Sequence, residues 1–231
     1  MPDRPTLPFV LFGFVVFMLA PPIAAVSLGI HADLPKEERG RLALYAAIAS
    51  GPLVVGAILA AASFQRLPWW SFGLHRAGLS HAILEGFRVC VEWMPIVLCT
   101  NGIVRILIPK QDGQTHVLEE LLLDNPSREI VFLAVAAAAV QAPIVEELVF
   151  RGLFQTWFNR FTAWPAIWCA AMIFAFVHSS AWPDPIPLVL VGIMLGLAYQ
   201  RTRNLLAPIV AHSLFNSTMI VVALSGLVKP A

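Results

Sequence analysis

Residues Ile130 to Phe158 read IVFLAVAAAAVQAPIVEELVFRGLFQTWF. The stretch is apolar along most of its length, yet Glu146, Glu147 and Arg151 stand in its second half. A hydrocarbon core of about 30 Å is crossed by about 20 residues rising ~1.5 Å each. An ionisable group at that depth costs on the order of 2.5–3.5 kcal/mol even on lenient insertion scales. Charges kept at that cost mark either a function or a paired structural contact. Glu147 and Arg151 stand four apart, with the acid first, which is the favourable order for an ion pair within one helix. Glu146 points about 100° away from Glu147 on a helix of 3.6 residues per turn and has no basic residue four places on. The structural pair accounts for two of the three charges and leaves Glu146 unexplained.

Outward from this stretch the chain has the composition of a membrane protein. Of 231 residues 58% are hydrophobic and 13% are charged, the latter about half the roughly 25% usual in soluble proteins. A net charge of +1 gives no reason to expect a nucleic-acid partner. Six further apolar stretches are candidate spans: Pro8–Ile30, Arg41–Phe64, His81–Ile108, Ala163–Ser179, Pro187–Gln200 and Asn204–Val228. The third is interrupted by Glu85, Arg88, Glu92 and Pro95. The apolar run of the first exceeds the 7–15 residues of a signal-peptide core, so a retained helix is expected. The sequence therefore predicts an all-α, polytopic transmembrane helical bundle of about seven spans, with six to eight compatible. It is read as a single membrane domain over residues 1–231, with N-terminal spans and a loop to residue 128 and the chemistry-bearing part in 129–228. Trp69 to Ser80 (WWSFGLHRAGLS) reads as an interfacial segment, with its tryptophans at headgroup level. Lys110 to Arg128 is the longest polar loop, with Asp112-Gly113 as a turn signal.

Basic residues do not fix orientation. Arg4, Arg66, Arg76, Arg160, Arg201 and Arg203 fall on one side of a seven-span topology, and Lys36, Arg39, Arg41, Lys110, Arg128 and Lys229 on the other. Cys90, Cys99 and Cys169 have no CxxC spacing and read as small packing residues. Gly192 and Gly196 form a GxxxG pair, a device for close helix approach.

Two more constellations lie downstream. Phe174 to His178 (FAFVH) ends the fifth span on a histidine, and His212 to Asn216 (HSLFN) places an imidazole and a carboxamide on one face of the last. Counted at 1.5 Å per residue, Glu146 lies ~18 Å, His178 ~22 Å, His212 ~12 Å and Asn216 ~18 Å from one common membrane face. All fall in the central part of the core, so convergence is allowed. Pro143 and Pro208 interrupt the helices just before Glu146 and His212, and broken backbone at membrane depth is tolerated where protein or water covers it. A buried carboxylate suits general base work on water. An imidazole can share its proton, and a carboxamide with a second imidazole can donate to an oxyanion. That inventory describes amide hydrolysis by activated water.

The motifs EELVFR (Glu146–Arg151), FAFVH and HSLFN, in this order, resemble EExxxR, FxxxH and HxxxN of the CAAX protease and bacteriocin-processing (CPBP, or Abi) family of intramembrane endopeptidases, relatives of the type II CAAX prenyl endopeptidase. The stretch RTRNLLAPIVAHSLFN is similar to that family's last-motif context. The resemblance runs from about Val140 to Asn216. It implies that Glu146 and His178 activate water, that His212 and Asn216 form the oxyanion site, and that Glu147 and Arg151 support them. It implies no cofactor. Zinc ligated by the same glutamates and histidines is the alternative, and a proton-relay transporter or a non-catalytic membrane partner are others. The partners expected are the lipid bilayer and a membrane-associated protein or peptide substrate. The location expected is a multi-pass integral membrane protein, in the inner membrane if the source is bacterial.

Overall fold

The computed structural model describes residues 4–108, 121–123 and 127–225. Its described residues are helical with no strand, in keeping with the membrane bundle read from the sequence. We number seven long helices: α1 (Leu7–Ser27), α2 (Lys36–Phe64), α3 (Leu79–Leu107), α4 (Arg128–Phe158), α5 (Ala163–Phe176), α6 (Pro185–Thr202) and α7 (Leu206–Leu224). Five of them, α1, α2, α4, α6 and α7, are by themselves long and apolar enough to cross a membrane. The other two expected spans fall short for different reasons. α3 carries Glu85, Arg88, Glu92 and Arg105, and α5 has only 14 residues, about 21 Å of rise. Of the expected polar loop, residues 110–120 and 124–126, with Asp112-Gly113 among them, lie outside the described residues. Leu121–Leu123 are helical, with Leu121 and Leu122 buried.

α4 is the axis of the bundle. It packs against α1, α2, α5, α6 and α7, and every residue from Glu147 to Thr156 is buried. A helix covered on all sides gains from apolar residues all round, which is how LVF and GLF flank Arg151. The aromatic rings bind it to its neighbours. Phe14 and Phe17 of α1 meet Phe154 and Phe150 edge-on, and Phe174 of α5 meets Phe150 in the same way.

α4 is not a regular α-helix. It is π-helical over Val135–Gln141 and again over Leu148–Gln155, with a short α segment, Ala142–Glu147, between them. π segments inside helices are uncommon and often accompany functional sites. Here they bracket the two glutamates.

The segment read as interfacial connects α2 to α3. Trp69 and Trp70 are exposed on a single 3₁₀ turn, Trp69–Phe72, while Phe72 is fully buried beneath them. The turn between α6 and α7 holds it in place. Asn204 donates from Nδ2 to the carbonyls of His75 and Ala77, accepts at Oδ1 from Leu206 N, and so caps α7 as well. Leu205 N donates to Gly73 O, and Gly73 sits at φ +81°, where a side chain would also strike Tyr199.

Candidate active site

Glu146 and Glu147 are neighbours in sequence and strangers in environment. Glu147 has no exposed side-chain surface, whereas the Glu146 side chain keeps 15% of its own. Glu147 Oε1 accepts from Arg151 Nη1 at 3.0 Å and from His212 Nδ1 at 2.8 Å. A buried charge without partners would cost several kcal/mol. This carboxylate instead joins a chain, Arg151–Glu147–His212, that ties α4 to α7. Arg151 extends the chain to α6 by donating from Nη2 to Gly192 O at 2.9 Å. One turn further on, Gln155 donates to Gly196 O in the same way. The two glycines of the GxxxG pair therefore serve α4 and α5 together. Their carbonyls receive side chains of α4, and at Gly192 an added Cβ would come 2.8 Å from the Cα of Ala171 in α5.

His178 lies just beyond the end of α5, which stops at Phe176 rather than at Ser179 as the sequence reading expected. The reason is local. His178 N turns back to Ala175 O in a 3₁₀ bond, and this frees the carbonyl of Phe174. That carbonyl is taken by His178 Nδ1 at 2.8 Å. A carbonyl can only accept, so Nδ1 carries the hydrogen, and the neutral ring holds its lone pair at Nε2. For His212 the same reasoning gives Nδ1–H donating to the Glu147 carboxylate and places Nε2 4.0 Å from Glu146 Oε2.

Phe174 is the residue that motif reading undervalued. Its ring lies 5.0 Å from the His178 ring and 5.8 Å from the His212 ring, and the Arg151 guanidinium sits over it at 5.0 Å. It packs against both imidazoles and against the cation. An apolar residue four before a histidine gives no chemical signal in sequence, because its role depends on what other helices bring to its faces.

Glu146, His178, His212 and Asn216 line one cavity of about 400 Å³ between α3, α4, α5, α6 and α7. Most of the remaining wall is apolar, including Val97, Leu188 and Phe215. Asn101, Arg105 and Asp184 stand on the wall near the ends of α3 and α6. The cavity brings together four side chains from three separate stretches of sequence. Glu146 makes no direct hydrogen bond to His178, and the two share the cavity wall. Asn216 donates from Nδ2 to Ala138 O at 2.7 Å, a contact that the sequence reading did not anticipate.

Residues 128–218 match the type II CAAX prenyl endopeptidase Rce1-like family. The Rce1-like segment starts with α4 and runs just past Asn216, so it contains every residue of the cavity's polar set except Asn101 and Arg105. Helices α1 to α3 lie outside it. Among curated proteins, the chain is 33% identical over 91 residues to the uncharacterized protein YpbD of Bacillus subtilis, across 38% of this chain and 42% of the relative. The chain thus matches less than half the length of YpbD. It is 25% identical over 157 residues to the UPF0177 protein YaiF of Lactococcus lactis, across 62% of this chain and 71% of that one. No solved structure matches.

A catalytic zinc requires three protein ligands at about 2.0–2.2 Å. The 4.0 Å between His212 Nε2 and Glu146 Oε2 would admit one ion between those two atoms. Glu147 makes both its contacts through Oε1, and among the described residues no three His, Cys, Asp or Glu side chains form a group able to hold a metal. The donor set as arranged does not fit the ion.

Proposed function

We propose that the chain is an intramembrane endopeptidase that hydrolyses a peptide bond of a membrane-associated protein or peptide with water activated by Glu146. The match to the Rce1-like family supports the protease class. The observation that carries the mechanism is the contrast between the two glutamates: Glu147 is fully buried and bound through Oε1 to Arg151 and His212, and Glu146 faces a cavity shared with two histidines and a carboxamide.

Glu146 takes a proton from water as the oxygen attacks the substrate carbonyl. His178, with its lone pair at Nε2, accepts and returns that proton, which finally goes to the leaving amine. With Glu147 holding Nδ1–H, a hydrogen on Nε2 of His212 would point to the developing oxyanion, and the second amide hydrogen of Asn216 adds to it. Preorganised donors of this kind contribute ~3–4 kcal/mol each. The apolar wall takes the substrate's side chains and excludes bulk water, which strengthens each polar contact inside. No step needs a metal.

A non-catalytic membrane partner is the second reading. The test is a comparison of membrane proteins and secreted peptides, by mapping of their termini, in cells that make the protein, lack it, or make only Glu146→Gln. Cleavage products present only with the native protein support the proposal. Identical termini in all three would leave the partner reading standing.

A further inference from the structure

The Asn216–Ala138 contact has a cause that lies in α4 itself. In the first π segment hydrogen bonds run from residue i+5 back to residue i, and Ala142 N donates to Ala137 O. The next bond of that series would come from residue 143 to Ala138 O. Residue 143 is proline and has no N–H. The π segment stops there, the α segment Ala142–Glu147 begins, and Ala138 O is left for a side chain from outside the helix. Asn216 Nδ2 occupies it at 2.7 Å. Ala138 is half-buried on the cavity wall, and Asn216 supplies the donor that its own helix does not.

α7 thus touches α4 at two polar points, His212 on Glu147 and Asn216 on Ala138. The two points stand on either side of the turn that carries Pro143 and Glu146. We infer that Asn216 is a positioning residue, which holds the Glu146 turn in its rotational setting by capping the carbonyl that Pro143 orphans. A proline alone would leave the turn free to settle in either register, α or π, and each register aims Glu146 differently. The amide hydrogen on Ala138 is committed to this task, and only its twin remains for chemistry. The inference builds on the assignment of Glu146 as base for its effect on activity, but not for its effect on stability.

A double-mutant cycle separates the two. Pro143→Ala restores a backbone N–H, which relieves Asn216 of the Ala138 carbonyl. In purified protein in detergent, Asn216→Leu in the native background is expected to lower the melting temperature by about 1–6 °C, as for a part-buried hydrogen bond lost in a chain of this size. In the Pro143→Ala background the same change is expected to lower it by less than half as much. Equal shifts in both backgrounds would overturn the inference. Should Pro143→Ala fail to accumulate, a second comparison serves. Asn216→Asp turns a carboxylate toward Ala138 O and is expected to melt below Asn216→Leu at neutral pH; the reverse order would equally overturn it. For activity, Pro143→Ala is expected to recover about tenfold of the kcat lost in Asn216→Leu with KM unchanged, whereas a purely chemical donor gives no recovery. If the native protein cleaves nothing, the hydrolase assignment fails while the thermal comparisons still judge the latch.

Discussion

His212 Nδ1 lies 2.8 Å from Glu147 Oε1, the same oxygen that Arg151 Nη1 reaches at 3.0 Å. One buried carboxylate oxygen therefore orients an imidazole of α7 and neutralises a guanidinium of its own helix. Glu147 is what allows Glu146 to stand apart. With the cation and the imidazole both engaged next door, Glu146 keeps its lone pairs toward the cavity.

Glu146→Gln and Arg151→Ala are expected to fail in different ways. The first keeps the shape of a partly exposed side chain, so folding and membrane insertion should be normal while cleavage is lost. The second leaves Glu147 buried with one partner fewer, a loss of ~3–5 kcal/mol by comparison with other broken buried pairs. Thermal unfolding in detergent, read beside cleavage of a membrane peptide, checks the division. Equal melting temperatures for the two variants would contradict it.

His178→Asn tests the proton-sharing role. The asparagine amide can still donate to Phe174 O as Nδ1–H does, but nothing then stands where Nε2 offered a lone pair. Stability should change little, and kcat should fall by ~10²–10⁴, the range typical of general acid–base groups. A variant with full activity would remove His178 from the mechanism.

Exhaustive chelation should leave activity intact, and metal analysis of the active protein should find no stoichiometric zinc. Loss of activity that zinc alone restores would make Glu146 and His212 ligands, with a third supplied by a rearrangement from the geometry described above.

Gly192→Ala probes the junction of three helices. Its methyl group would lie 2.8 Å from the Cα of Ala171, a backbone atom that cannot turn aside. α5 and α6 must separate, and Gly192 O moves relative to Arg151. Overpacking of this kind costs typically ~1–3 kcal/mol. We expect a lowered melting temperature and reduced cleavage together, and unchanged behaviour in both would show that the helices can yield.

Much of this arrangement was legible in the sequence, for physical reasons that can be named. The Glu147–Arg151 pair is local, set by four residues of helix, and so is the divergence of Glu146 from it. Apolar runs gave the helices, five of the seven being 20 residues or longer, and depth along each gave the common level of Glu146, His178, His212 and Asn216. What escaped were relations between helices. The bond from His212 to Glu147 depends on how α7 is rotated, and no spacing within HSLFN encodes that. The end of α5 at Phe176 came from a side chain competing for Phe174 O. In an α-helix the bond that Pro143 cannot make is the one to Ala139 O. In the π register the deprived carbonyl is that of Ala138, and only the structure shows which register the alanine run adopts.

The chain Arg151–Glu147–His212 also sets a schedule. Arg151 meets Gly192 O, 41 residues later in the sequence, and Glu147 meets His212 after 65. At synthesis rates of about 5–20 residues per second, α4 waits roughly 2–13 seconds before its outside partners exist. During that interval Glu147 and Arg151 have only each other, one turn apart on the same helix. The ion pair that braces the finished site is thus also what makes the newborn α4 close to neutral while α6 and α7 are still being made.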